Sequence, residues 1–300
     1  MKILISGASG LLGSKIAELA EAEEHQVFSG YFTQEPTFGQ PVRLDITTKK
    51  SVSKIVSDIK PDTIIHSAAL TNVDECEKNK KLTEEINVIG TRSIAEAAKD
   101  NDAYLSYVST DYVFDGSKGM YKEEDMTNPV NFYGQSKLYG EKAIKEINEN
   151  YLIARTSVIY GIKPASGKIN FALWLIESLK KNQAVQVLTD QFISPTLNTN
   201  LAKMVLEASE RRLNGIYHMA GASRASRFEF VIKLAEIFDL DKSLIKKSCI
   251  SDINWVAERP KDSSLDVSKT YNILKTKPMN LSEALNLMKE EMEFASRSNS

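Results

Sequence analysis

Three side chains in the first half of the sequence have the types and spacing to handle a proton together. Thr110 stands in the run Val108-Ser-Thr-Asp111 at the end of an apolar stretch, and Tyr133 and Lys137 follow four residues apart in a segment with helical character. That spacing places a phenol and an ammonium on one helical face. A hydroxyl at a strand end can be folded back beside them. A phenol of pKa about 10 donates protons poorly at neutral pH. A neighbouring lysine cation favours phenolate and moves Tyr133 toward the working range. Thr110 would then donate to a carbonyl oxygen on which negative charge develops. Lys137 could also hold the hydroxyls of a cofactor ribose. The ordinary alternative is an exposed Tyr/Lys pair on a surface helix.

The N-terminus favours the chemical reading. Ile3 to Ser6 is a short apolar strand, followed by Gly7, Gly10 and Gly13 and the opening of an amphipathic helix. This is the context a dinucleotide-binding turn requires. Glycine lets the backbone turn tightly and lets a pyrophosphate approach the helix N-terminus, whose amides and dipole favour an anion. Ser9, Leu11 and Leu12 in the same turn are further candidates for cofactor contact. Strand two ends in Ser29-Gly-Tyr31-Phe-Thr33, without the carboxylate that an NAD site places there and without the arginine of an NADP site. The missing carboxylate leads to an expectation of NADPH, with NADH left open. Tyr31, at that strand end, and Asp45 and Ile46, after the strand-like Val42 to Leu44, complete the candidate cofactor set. Asp45 either meets the adenine amino group or serves as a helix cap or turn residue.

Alternating strand and helix signals supply the frame that would position these groups. Strands are expected at Val27 to Gly30, Thr63 to His66, Tyr104 to Ser109 and Tyr151 to Arg155. Helices are expected at Leu11 to Glu23, Ser51 to Ile59, Leu82 to Lys99 and Tyr133 to Asn148. The second half is less regular, with helical periodicity at Ile169 to Lys181, Leu197 to Arg211, Arg227 to Phe238 and Ser282 to Phe294, and a strand at Gly215 to Ala220. The Ser-Arg-Ser-Asn-Ser tail is expected to fray. The pattern predicts an α/β fold: a Rossmann-type doubly wound parallel sheet over residues 1–160, with a smaller C-terminal substrate-binding lobe over 161–300. A segment near 215–235 should return to the first domain.

Composition excludes several classes. A net charge of -2 gives no basic field for nucleic acid or an anionic membrane surface. No apolar run reaches the roughly 18 residues of a membrane-spanning helix, and the apolar start is too short for a signal peptide core. Cys76 and Cys249 are the only cysteines, and His25, His66 and His218 show no metal-ligand spacing. The expectation is a cytoplasmic protein without a metal, nucleic-acid partner or membrane partner.

The residues also carry a family resemblance. GxxGxxG spacing with Ser/Thr and Tyr-x-x-x-Lys is similar to the extended short-chain dehydrogenase/reductases. His66-Ser-Ala-Ala-Leu-Thr-Asn-Val-Asp-Glu-Cys-Glu77, Val108-Ser-Thr-Asp-Tyr-Val-Phe-Asp-Gly116 and Asn128-Pro-Val-Asn-Phe-Tyr-Gly-Gln-Ser-Lys137 resemble the dTDP-4-dehydrorhamnose reductase family. So do Ala154-Arg-Thr-Ser-Val-Ile-Tyr160, Asp190-Gln-Phe-Ile-Ser-Pro-Thr196 and Arg259-Pro-Lys-Asp-Ser-Ser-Leu-Asp266. The resemblance implies Thr110, Tyr133 and Lys137 as catalytic residues, and Ala68 and Ala69 along the cofactor. It places Asp111 and Tyr112 beside the sugar. Asn87 either relays protons or bonds the main chain, and Arg259 either meets the nucleotide diphosphate or anchors the C-terminal segment as an ion pair. His66 and Val158 depart from the pattern, where members commonly carry asparagine and tryptophan. The implied activity is NAD(P)H-dependent reduction of a nucleotide-linked 4-keto-6-deoxysugar, dTDP-4-dehydro-L-rhamnose above all, with a homodimer as one assembly. The rivals are an NDP-sugar epimerase or dehydratase, and a non-catalytic regulatory subunit of methionine adenosyltransferase.

Overall fold

A computed structural model describes residues 1–163 and 169–298. The first half lays down β1 (Lys2–Ser6), α1 (Leu11–Ala22), β2 (Gln26–Tyr31), β3 (Gln40–Arg43), α2 (Lys49–Ile59), β4 (Thr63–His66), α3 (Val73–Lys78), α4 (Lys80–Glu84), α5 (Thr91–Asp100), β5 (Tyr104–Thr110), α6 (Phe132–Ile147) and β6 (Tyr151–Thr156). The second adds β7 (Ile159–Tyr160), α7 (Phe171–Lys180), β8 (Val185–Leu188), β9 (Phe192–Ile193), β10 (Thr196–Leu197), α8 (Asn198–Glu210) and β11 (Gly215–His218). It ends with β12 (Ala225–Ser226), α9 (Arg227–Ile237), β13 (Ile245–Ser248), α10 (Ser268–Ile273) and α11 (Leu281–Ser298).

One seven-stranded sheet runs β3-β2-β1-β4-β5-β6-β11, parallel throughout. Strands buried on both faces must be apolar along their length. Ile3, Leu4 and Ile5 of β1, Ile64 and Ile65 of β4 and all seven residues of β5 are buried accordingly. Strand order reverses between β1 and β4, and a crevice at such a switch point is where α/β sheets take ligands. Gly7 and Ala68, the residues just past these two strands, meet there.

Two apolar clusters underlie the two lobes. One joins β1, α1, β5 and β6 to Leu201, Met204, Val205 and Leu206 of α8 and to Tyr217 of β11. The other gathers α7, β8, α9, Ile245 and Leu285 of α11. β11 thus joins the large sheet and α8 the first cluster, while α9 packs in the second. The expected helix Leu82 to Lys99 is instead α4, a π-helical turn over Glu85–Gly90, and α5. The closing helix continues to Ser298, into the tail expected to fray; residues 299–300 lie outside the described residues. No described helix is long and apolar enough to cross a membrane.

Candidate active site

The glycine turn is built by close approach. Gly7 has φ +74°, and a Cβ there would stand 2.8 Å from the backbone of Ala68. A Cβ on Gly13 would stand 2.2 Å from the carbonyl oxygen of Gly7. The turn is closed by a Gly10 amide to Gly7 carbonyl bond of 2.9 Å. No side chain caps α1, and no acid occupies its first turn. Its first amides thus face a pocket of about 130 Å³ lined by Ser9, Gly10, Leu11, Ser14, Lys15 and Lys163 among others. Leu12, by contrast, is buried in the core beneath the turn. These features fit a dinucleotide pyrophosphate: tight glycines and a helix N-terminus with no side-chain cap and no acid in its first turn, although Glu18 and Glu35 also line the pocket.

Two elements carry the reacting groups. Thr110 ends β5, buried, and its hydroxyl donates to Asp111 Oδ1 at 3.0 Å and accepts from the Tyr112 amide at 3.2 Å; it stands near enough to the Tyr133 phenol to favour its ionised form. Tyr133 stands in the first turn of α6. That helix end is fixed by Asn131, whose side chain accepts from the Gly134 amide and donates to the Glu258 carbonyl, and by Glu77, which accepts from the Phe132 amide. One turn on, the buried Lys137 Nζ donates to the Val108 carbonyl at 2.8 Å and lies 4.1 Å from the centre of the Tyr107 ring. Strand end and helix face thus converge as the spacing suggests.

The electrostatics differ from the expectation. Burial pushes the Tyr133 phenol above its usual value, against the influence of Thr110, and Asp111, Cys76 and Tyr112 push the same way, so the phenol is raised and not lowered as the spacing suggested. Burial lowers Lys137 itself to about 7, against the pull of Glu141 and Cys76.

The family described as RmlD substrate binding domain matches residues 1–294. The chain belongs to this family. It is 35% identical over 271 residues to the probable low-salt glycan biosynthesis reductase Agl14 of Haloferax volcanii, covering 89% of this chain and 90% of that protein. It is 31% identical over 280 residues to methionine adenosyltransferase 2 subunit beta of Xenopus tropicalis, covering 91% and 82%. The crystal structure of dTDP-4-dehydrorhamnose reductase from Bacillus anthracis in complex with NADP is similar with a TM-score of 0.87 and 32% identity, over 97% of this chain and 99% of that one.

Other residues that the family resemblance singled out occupy distinct places. Ala68 borders the glycine turn, its amide 3.4 Å from Ser6 Oγ, and Ala69 is half-buried next to it. Asp111 is turned inward: its carboxylate accepts from Ser157, Ser263 and Thr110 hydroxyls at 2.8, 2.6 and 3.0 Å, and burial still raises its pKa. Tyr112 meets the Tyr133 ring edge-on, centroids 5.9 Å apart. Arg259 pairs with Asp74 at 3.0 Å, donates to the Ala257 carbonyl and covers Trp255, so the anchoring role is the one its contacts display. It also borders an open pocket of about 500 Å³ with Trp255 and Lys261. Asp45 is occupied as a turn residue by the Thr47 amide and the Thr47 and Thr48 hydroxyls. Ile46 is buried against Gly90, and Tyr31 closes β2 with its carbonyl bonded to the Leu44 amide. Val158 has φ +34°, a strained conformation for a β-branched residue, just past β6.

Around His66 and Asn87, the second of which takes the main-chain role offered for it, stand supporting residues that gave no signal in the sequence: Thr91, Glu141 and Arg155. His66 is fully buried, stacked on Tyr107 with centroids 5.4 Å apart, and held neutral by burial with its pKa down to about 3. Thr91 donates to the Asn87 carbonyl, so His66 Nε2 carries the proton toward Thr91 and Ser6 donates to Nδ1. Asn87 in the π-helical turn grips both the amide and the carbonyl of Leu70 and bonds Ser136. Behind Lys137, Glu141 accepts from Arg155 through two nitrogens at 2.9 and 2.8 Å and from Ser109 at 2.6 Å. The fold also brings His25 and Glu23 beside Glu210, one group among the described residues whose ligand atoms lie within 4.8 Å of one another. The 2.9 Å pair of His25 with Glu210 accounts for that contact.

Proposed function

We propose that the chain is an NADPH-dependent reductase of a nucleotide-linked 4-keto-6-deoxysugar, dTDP-4-dehydro-L-rhamnose being the leading substrate. The observation that carries this is the convergence of Thr110, Tyr133 and Lys137 at the carboxyl end of β5, beside a glycine turn that opens a helix with no side-chain cap. Family membership and the NADP bound by the Bacillus anthracis reductase support the same reading. Gly7, Gly10, Gly13 and the α1 amides would hold the cofactor pyrophosphate, and Lys137 its nicotinamide ribose. The end of β2 carries no carboxylate to accept the ribose hydroxyls of NAD, and this favours NADPH over NADH. When bound, the cofactor supplies the hydride.

The chain's own residues manage the oxygen. Thr110 swings its proton from Asp111 to the substrate carbonyl and stabilises the charge that grows there. Tyr133 passes its phenolic proton to the same oxygen. A phenol held protonated by burial is a full reservoir for that step, and the ammonium of Lys137 favours the phenolate left behind. Asp111 acts through Thr110, fixing the direction of its hydroxyl.

The test is consumption of NADPH, and separately of NADH, by purified protein given dTDP-4-dehydrorhamnose. Tyr133→Phe should retain cofactor affinity and lose about 10²–10⁴-fold in turnover, the usual worth of a general acid. Turnover by this variant at the parent rate would remove Tyr133 from the role. A wild-type protein that consumes neither nucleotide but co-purifies with a methionine adenosyltransferase would replace the reductase reading with the association role.

A further inference from the structure

A half-buried arginine stands without an acidic partner close to the catalytic phenol. Arg227 opens the 11-residue α9, at the helix end where the dipole disfavours a cation. Its contacts are neutral: Nε donates to Gln191 Oε1, the main-chain amide donates to the Gln191 carbonyl at 3.0 Å, and the guanidinium lies 5.0 Å from the centre of the Phe171 ring. No carboxylate pairs with it among the described residues, and residues 164–168 contain none. Glu229, the acid in its own first turn, is committed to the Ser226 amide in a capping box. The terminal nitrogens Nη1 and Nη2 are thus left for another acceptor. A cation held this way is costly unless an anion completes it.

Its surroundings say where that anion would lie. Gln191 is buried, and its amide nitrogen reaches the Pro260 carbonyl at 3.4 Å, tying Arg227 to the segment that lines the 500 Å³ pocket. Tyr112 stands between Arg227 and the reacting groups: its ring touches Tyr133, and its phenol lies within the electrostatic reach of Gln191, Arg227 and Arg259. Of the other cations of this rim, Arg259 pairs with Asp74 and Arg224 with Asp262, while Lys261 is exposed on the pocket wall. Asp115 and Glu258 line the pocket itself and would repel an anion deeper in it. A sugar nucleotide with its keto group at Tyr133 and its base in the pocket would carry its linking phosphates past Tyr112.

We propose that Arg227, aimed by Gln191, holds the diphosphate of the nucleotide-sugar substrate, one of the two roles that the family resemblance offered for Arg259. The planar guanidinium offers two terminal donors in a fork that matches phosphate oxygens. This rests on the reductase reading for the class of substrate, but not for the chemistry at Tyr133.

The test is calorimetric titration of the full chain, saturated with NADP, using dTDP, thymidine, UDP-glucose and UDP-glucuronate as probes. Arg227→Ala should weaken dTDP and UDP-glucose by about tenfold or more, the worth of a charged hydrogen bond. Thymidine and NADP affinities and the melting temperature should stay at the parent values. Arg227→Lys should recover part of the loss, since it keeps the charge without the fork. Equal dTDP affinity in Arg227→Ala and the parent overturns the assignment. A loss confined to UDP-glucuronate also overturns it, in favour of a reader of sugar carboxylates. A parent chain that binds none of the nucleotide probes refutes both this proposal and the substrate class. Arg227-dependent dTDP binding without keto-sugar reduction leaves the proposal standing and the reductase reading refuted.

Discussion

Lys137 gives the site a pH dependence whose sign follows from its burial. With its pKa lowered to about 7 by desolvation, the side chain is an ammonium below that value and an amine above it. If the ammonium is the working form, kcat/KM of the reductase should fall as pH rises through this value, since that parameter reports the free enzyme. Glu141 and Cys76 pull the pKa up, while burial dominates. A profile that climbs steadily from neutral to alkaline pH would assign the work to the amine. The same shift acts on stability. The unfolded chain keeps this proton up to its ordinary 10.5, so between about 7 and 10.5 the folded state gains stability from this group as pH rises. The identities of Thr110, Tyr133 and Lys137 were legible from spacing, because a four-residue step on a helix fixes a shared face. Their pKa values were not, because desolvation depends on what the rest of the chain places around them.

At the scale of elements, α6 and β6 are locked by the ion pair of Glu141 with Arg155, both essentially inaccessible to solvent. The pair keeps the Lys137 turn of α6 pressed on the sheet, and Ser109 of β5 donates to the same carboxylate. Glu141→Gln would leave the guanidinium buried without its charge partner. Breaking one side of such a pair costs about 3–5 kcal/mol, so the midpoint of urea unfolding should drop markedly at unchanged slope. A loss below about 1 kcal/mol would mean that solvent or another acid compensates Arg155. Elements of strong period were visible in the sequence to within a few residues, as β4 and α6 show. The π-helical turn inside the expected helix Leu82 to Lys99 was not. It exists because Asn87 reaches Leu70 and Ser136, which are remote in sequence, and no local periodicity encodes such a bond.

At the scale of the whole molecule, the two lobes share the chain several times. After β7 the chain builds α7 and β8 in the second lobe, returns through α8 and β11 to the core of the first, and departs again for α9. Asp111 at the end of β5 then receives Ser263 from the far C-terminal segment. Such interleaving is hard to read from sequence, since α8 and α9 are both amphipathic and only tertiary packing assigns them to lobes. It has a measurable consequence. Because Leu197 packs in the second cluster and runs directly into α8, which packs on α1, the helix that begins at the glycine turn, cofactor binding should stabilise both lobes together. NADPH at about one hundred times its dissociation constant should then raise the unfolding free energy by about 2.7 kcal/mol, in one transition followed equally by Trp174 in the second lobe and by overall helicity. Gly13→Ala is the control that ties the effect to the turn. Its new methyl would fall 2.2 Å from the Gly7 carbonyl oxygen, a backbone atom that cannot yield without opening the turn. This variant should lose the NADPH-induced stabilisation while still unfolding in one step. A cofactor-induced shift seen by helicity but not by the tryptophan signal would show that the lobes unfold independently, despite the chain they exchange.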